Sequence, residues 1–183
     1  MTFSTSQMIE FQEREEASRT AQLIPTGKYN WEIETSEVTE VNGFPRLRVQ
    51  HRIFATNTDS LDRVHSEFFS WYASEDSPNP KPHLERQAGL RGMVIRKLDG
   101  YINALATSPT STQELGESFV DCVNGLRAAG DDEVEVKGYL QDIGRLLEGQ
   151  SITGTIRHSA TGWANLHADK FDMSIGAASA VAV

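Results

Sequence analysis

Three observations predict a mainly β fold with an α-helical insertion. Hydrophobic residues alternate with period two from Tyr29 to Trp71, recur at helical spacing from Leu84 to Leu147, and return to the two-residue period after Gln150. The 183 residues, 38% hydrophobic and 23% charged, can supply the core of one domain and hold no apolar run of membrane length. That composition argues against a helical membrane protein and against a wholly disordered chain. A single Cys122 excludes an internal disulfide and any zinc site built on two thiolates. The opening Met-Thr-Phe-Ser-Thr-Ser lacks the basic and apolar character of a signal peptide, so a cytoplasmic protein without a membrane partner is expected.

Residues 1–24 carry mixed charge from Glu10 to Arg19 and few apolar side chains, which predicts an arm or short helix ended by Pro25-Thr-Gly27. In the first strand Tyr29, Trp31 and Ile33 point one way and Asn30, Glu32 and Glu34 the other. Asn42-Gly43 provides the left-handed backbone of a tight hairpin turn. In the return strand Leu47, Val49 and Ile53 share one face and Arg46, Arg48, Gln50, Arg52 and Phe54 the other. Counting outward from the turn pairs Glu37 with Arg48, but further out Ile33 would oppose Arg52. One extra residue near Thr35 or Ser36 restores the parity and sets Trp31 opposite Ile53, so a β-bulge is predicted there.

A third strand places Val64 and Phe68 on one face and Arg63, His65, Glu67, Phe69 and Trp71 on the other, which is expected to face outward. Ser77-Pro-Asn-Pro-Lys-Pro82 cannot continue a sheet. The helical block, about 82–148, begins with a stripe of Leu84, Ala88, Val94, Ile95, Leu98, Ile102 and Leu105, interrupted by Gly89, Gly92 and Gly100. Ser111-x-x-Glu114 reads as a capping box for a second helix, on which Cys122 is a small core residue, and Asp132-x-x-Glu135 as the start of a third. Two closing strands follow, Ser151 to Arg157 and Trp163 to about Ala168, and residues 172–183 read as a flexible tail. Three strands, a helical block and two strands, with a bent first strand, is the order of a five-stranded OB-fold barrel over residues 25–171, the helical block lying between strands three and four.

The segment Leu23-Ile-Pro-Thr-Gly-Lys-Tyr-Asn-Trp-Glu-Ile33, the glycine turn, and the closing Gly149-Gln-Ser-Ile-Thr-Gly-Thr-Ile156 with Gly162-Trp-Ala-Asn165 resemble phage-encoded OB-fold single-stranded DNA-binding proteins. The resemblance spans about 25–74 and 149–171 and leaves the helical block and the arm outside it. It implies sequence-independent binding of single-stranded DNA in replication, recombination or repair, alongside proteins of those processes, with no catalysis and no cofactor. It leaves a homo-oligomer open. Several such proteins end in an acidic tail, whereas this chain ends Gly176-Ala-Ala-Ser-Ala-Val-Ala-Val183.

A net charge of −9 argues at first against a polyanionic partner. Most of the excess lies in residues 111–150, where nine acids face only Arg127, Lys137 and Arg145. Single-strand binding needs cations for phosphates and aromatic faces for bases. The candidate residues for that chemistry are Arg46, Arg48, Arg52 and Phe54 on the second strand, then Arg63, His65, Phe69 and Trp71, with Arg157 extending the groove. A different class of function is an interaction module in which the acidic helices bind a basic partner and the sheet is scaffold. A third is a metal-dependent nuclease using Asp131, Asp132, Glu133 and Glu135, although consecutive acids at a helix start more often cap it. No metal site is expected, and neither a phosphate-cradling glycine loop nor a nucleophile elbow occurs.

Overall fold

The alternating stretch around Asn42-Gly43 folds back on itself. The computed structural model describes residues 24, 26–53, 64–74, 81–159 and 164–176, and in it β1 (Gly27–Val41) pairs antiparallel with β2 (Phe44–Ile53). Asn42 and Gly43 both have positive φ, 53° and 82°, as the tight turn requires. The bulge is where the parity argument needs one: Ile33 pairs with His51 and Thr35 with Gln50, leaving Glu34 as the extra residue. Trp31 therefore faces Ile53 and Glu32 faces Arg52, as the count predicted.

β3 (Val64–Ser70) pairs with β2, β4 (Ser151–His158) pairs with β1, and β5 (Ala164–Asp169) pairs with β4, all antiparallel. The sheet order is β3-β2-β1-β4-β5. Among the described residues no ladder joins β3 to β5, so the sheet is open where a closed barrel was expected. With its three helices the fold is mixed α and β.

The helices are α1 (His83–Leu105), α2 (Gln113–Ala129) and α3 (Glu133–Leu147). Gly89, Gly92 and Gly100 do not interrupt α1, because tertiary burial of Val94, Leu98, Tyr101, Ala104 and Leu105 outweighs their low propensity. Leu84 and Ala88 lie outside that buried stripe and are exposed. The cap of α2 sits one residue later than the capping box implied: the Thr112 hydroxyl, not Ser111, accepts from the Leu115 N–H. Asp132 caps α3 as expected, accepting from the N–H groups of Val134 and Glu135. Cys122 is half-buried and packs against the core from α2.

α1 and α3 pack on the face formed by Trp31, Ile33, Leu47, Val49, Ile152, Ile156 and Leu166, which are buried. α3 lies closest at Gly144, whose missing side chain lets Ser36 Oγ donate to its carbonyl at 2.6 Å beside Leu47. α1 crosses the opening between the sheet edges: Lys97 and Tyr101 reach Glu67 on β3, while Gly100 rests against the Ala168 carbonyl on β5. α2 packs on α3 and α1. After β5 the chain turns over the opposite face, where the Asp172 N–H donates to Thr153 Oγ1 and Asn30 Nδ2 donates to the Asp172 carbonyl, leading into a 3-10 turn, Met173–Gly176. Residues 172–176 are thus tied to β1 and β4, where a free tail was expected; the arm to Leu23 and residues 177–183 lie outside the described residues.

Under α1 runs a buried polar chain. Lys97 Nζ donates to Glu67 Oε1 at 2.6 Å, the Tyr101 hydroxyl donates to Glu67 Oε2 at 2.8 Å, and His51 Nε2 lies 2.6 Å from the same hydroxyl. Burial works to raise the Glu67 pKa, and the Lys97 ammonium and neighbouring groups more than offset it, so the carboxyl titrates below its usual range. Burial, with Glu67 adding to it, pushes Tyr101 well above its usual value. A neutral His51 donates from Nε2 to Tyr101 and leaves Nδ1 without a proton, 3.3 Å from the His65 carbonyl. His65 is 3% exposed, and neither of its ring nitrogens has a hydrogen-bond partner.

Burial pushes His51 down to about 4 and lowers His65 as well, so both rings are neutral when folded. On unfolding they regain a pKa near 6.5 and take up protons below it. We predict full stability above about pH 6.5 and a decline as the pH falls toward 4, of up to about 1.4 kcal/mol per pH unit per ring. Urea unfolding at stepped pH measures this. His65→Phe should flatten the profile and leave neutral-pH stability equal or higher, and a steeper profile in that variant would refute the assignment. Lys97→Met should cost about 3 kcal/mol by stranding the Glu67 carboxylate, and adding Glu67→Leu should recover most of it.

Candidate nucleic-acid interface

On β2 the alternation is as expected: Leu47, Val49 and Ile53 are buried beneath the helices, joined by His51, and Arg46, Arg48, Gln50 and Arg52 project from the other face. The six steps from Arg46 to Arg52 span about 20 Å of strand. Among the described residues no helix packs on this face of β2 and β3. Arg48 donates to Glu37 at 3.2 Å across the ladder, and its side chain stays 31% exposed. Arg52 is ion-paired with Glu34, the bulge residue. The face therefore carries its own counter-charges, with Glu32 beside them.

Arg46 departs from expectation. It is 5% exposed, with its guanidinium 4.3 Å from the centre of the Phe68 ring, its diagonal neighbour on β3. It is a packed residue at one end of the row.

β3 is turned the other way from the sequence reading. Leu47 pairs with Phe69, Val49 with Glu67 and His51 with His65, and paired residues share a face. His65, Phe69 and Trp71 are therefore buried under the helices, and Trp71 Nε1 donates to the Gly130 carbonyl at 2.8 Å. None of the three is available to stack on a base from outside. The error came from Glu67, which shares their parity and reads as a solvent marker; its charge is instead met inside by Lys97 and Tyr101. The bulk of Phe69 and Trp71 against Val64 and Phe68 was the signal pointing the right way. The aromatic residue on the outer face is Phe68, half-buried beneath Arg46.

Arg157 is exposed on β4 but stands on the far side of β1, six residues beyond Ser151, which pairs with Glu32. That offset is about 20 Å, so it is not part of the cluster. Phe54 and Arg63 lie outside the described residues. Of the acids considered for a metal, Asp131 is held by Arg91 and Gln87 and Asp132 caps α3, so the hydrogen bond and charge of Arg91 keep the Asp131 carboxyl below its usual range. Among the described residues no three His, Cys, Asp or Glu side chains converge to hold a metal. No helix among them is long and apolar enough to cross a membrane.

Sequence reasoning missed one more group, at the end of the hairpin. Phe44 follows the turn and stacks on Tyr72 with ring centres 4.7 Å apart and planes at 19°. Phe44 shares the parity of Arg46 at the start of β2, but its partner Tyr72 lies beyond the end of β3, where alternation no longer places a side chain.

Arg46→Ala should lower stability by about 1–2 kcal/mol through loss of its packing over Phe68, while Arg48→Ala should stay within about 0.5 kcal/mol. Equilibrium unfolding of the two variants separates them; equal effects would mean that Arg46 is not a packed residue. Comparison with protein-family models, with curated proteins and with solved structures finds no match to this chain.

Proposed function

We propose that the protein binds single-stranded nucleic acid, DNA in the first instance, on the outer face of β2 and β3, without catalysis. The observation that carries this reading is a sheet face on which no helix packs among the described residues, with Arg48 and Arg52 partly exposed in one row and Arg46 packed on Phe68 at its end, while the helices occupy the opposite face. The partly exposed Arg48 and Arg52 guanidiniums meet successive phosphates, a contact that reads no sequence. The strand order supports the reading too, since β3-β2-β1-β4-β5 is that of an OB barrel opened between its third and fifth strands. In OB folds the face of strands two and three takes oligonucleotides. The excess acid also fits: Glu114, Glu117, Asp121, Glu133 and Glu135 are exposed on α2 and α3, on the helical side.

Fluorescence anisotropy with labelled oligo-dT and with duplex of equal length tests the proposal across a salt series. Preference for the single strand, with affinity falling linearly in log salt, is the expected result. Arg48→Ala with Arg52→Ala should weaken binding and reduce the salt slope by about 2. Glu34→Gln with Glu37→Gln should do the opposite and tighten binding, because the carboxylates that now occupy those guanidiniums are gone. Absence of binding to either oligonucleotide at low salt would overturn the proposal.

The exposed acids of α2 and α3 favour a second reading, a docking surface for a basic partner protein. Titration with a lysine-rich peptide, with the Glu114, Glu117 and Asp121 carboxylates neutralised as control, separates it from the first.

A further inference from the structure

At the turn end of the arginine row a cleft of about 230 Å³ opens between the hairpin and α1, with Phe44, Pro45, Arg46, Ser70, Tyr72 and Leu90 in its wall. Its aromatic side is fixed in advance. Tyr72 stacks on Phe44, and the Arg91 guanidinium lies 5.6 Å from the Tyr72 ring centre. Arg91 is itself held by Asp131, which also accepts from Gln87 Nε2 at 2.9 Å. The Tyr72 hydroxyl donates to the Asp131 carbonyl at 3.4 Å. Two half-buried rings are thus stacked and braced beside a cleft, outside the buried core.

We propose that this cleft receives one unstacked base of a bound single strand, with the adjoining backbone running from Arg46 along Arg48 and Arg52. The inference rests on the strand-binding reading above and adds to it a site for a base. A planar, weakly polar ring suits a cleft walled by the Phe44 and Tyr72 rings, and Arg46 belongs both to the cleft wall and to the row on β2. An apolar peptide side chain would fit the rings but would leave the row of guanidiniums without a role. Leu90 makes the far wall, so the helical insertion shapes the cleft together with the hairpin.

The test compares oligo-dT with an abasic phosphodiester strand of equal length, each titrated against the intact protein and its variants. Phe44→Leu and Tyr72→Leu keep apolar bulk and remove a ring. Leu90→Trp keeps both rings and fills the cleft, which maintains the test if either ring variant folds poorly. Each should lose roughly tenfold in affinity for oligo-dT and nothing for the abasic strand, with an unchanged salt slope. Equal losses on both strands, or no loss on either in Leu90→Trp, would overturn the base site while Arg48→Ala with Arg52→Ala still weakens binding. A proline-rich peptide that binds the intact protein and not Leu90→Trp, with oligo-dT binding unaffected, would overturn it in favour of a peptide groove. If the intact protein binds neither strand, the strand-binding reading itself fails.

Discussion

One buried carboxylate organises the molecule. Glu67 is 4% exposed in the middle of an edge strand, where an unpaired charge would be prohibitively costly. It is tolerated because α1 brings Lys97 and Tyr101 to its two oxygens, and because Tyr101 also meets His51 of β2. The requirement works in both directions. β3 has to turn this face inward to reach its partners, and α1 has to cross the open side of the sheet to supply them. Once α1 lies there, with Gly100 against β5, the core is sealed on the helical side, and among the described residues no helix packs on the other face of β2 and β3. Ion pairs of this kind add little net stability, but losing one partner is severe, so the arrangement specifies position more than it adds strength.

How much of this was legible follows from which residues speak for themselves. The hairpin, its turn and its bulge were readable, because a two-residue period is strict and one parity failure points to one extra residue. The caps of α2 and α3 were readable to within a residue, since Thr112 and Asp132 act on their own first turns. Glu67 was not readable, because its inward face depends on Lys97, thirty positions away. The same dependence explains Arg46, whose burial follows from Phe68 on the neighbouring strand. The open seam between β3 and β5 was likewise hidden, since alternation describes the faces of a strand and not what lies along its edge.

The candidate interface is less cationic than its arginines suggest. Each of Arg48 and Arg52 already has a carboxylate on β1, one of them on the bulge residue. A polyanion on this face would have to displace those contacts, which are partly exposed and weak individually. The net charge of −9 thus enters in two ways: through acids on the helical side that set the overall field, and through two glutamates within the face that screen its cations at short range.

The ladder between β1 and β4 has a consequence for how the chain reaches this structure. The Trp31 indole N–H donates to the Gly154 carbonyl across 123 positions of sequence, and the whole helical block lies within that loop. Hairpin and helices can form from near neighbours, whereas this ladder has to wait for that long loop to close, and contacts of long range slow folding. Helical insertion and hairpin are thus poised to assemble early as local units. β4 and β5 complete the sheet afterwards, so a nascent chain exposes the inner edge of β1 until Ser151–His158 has emerged.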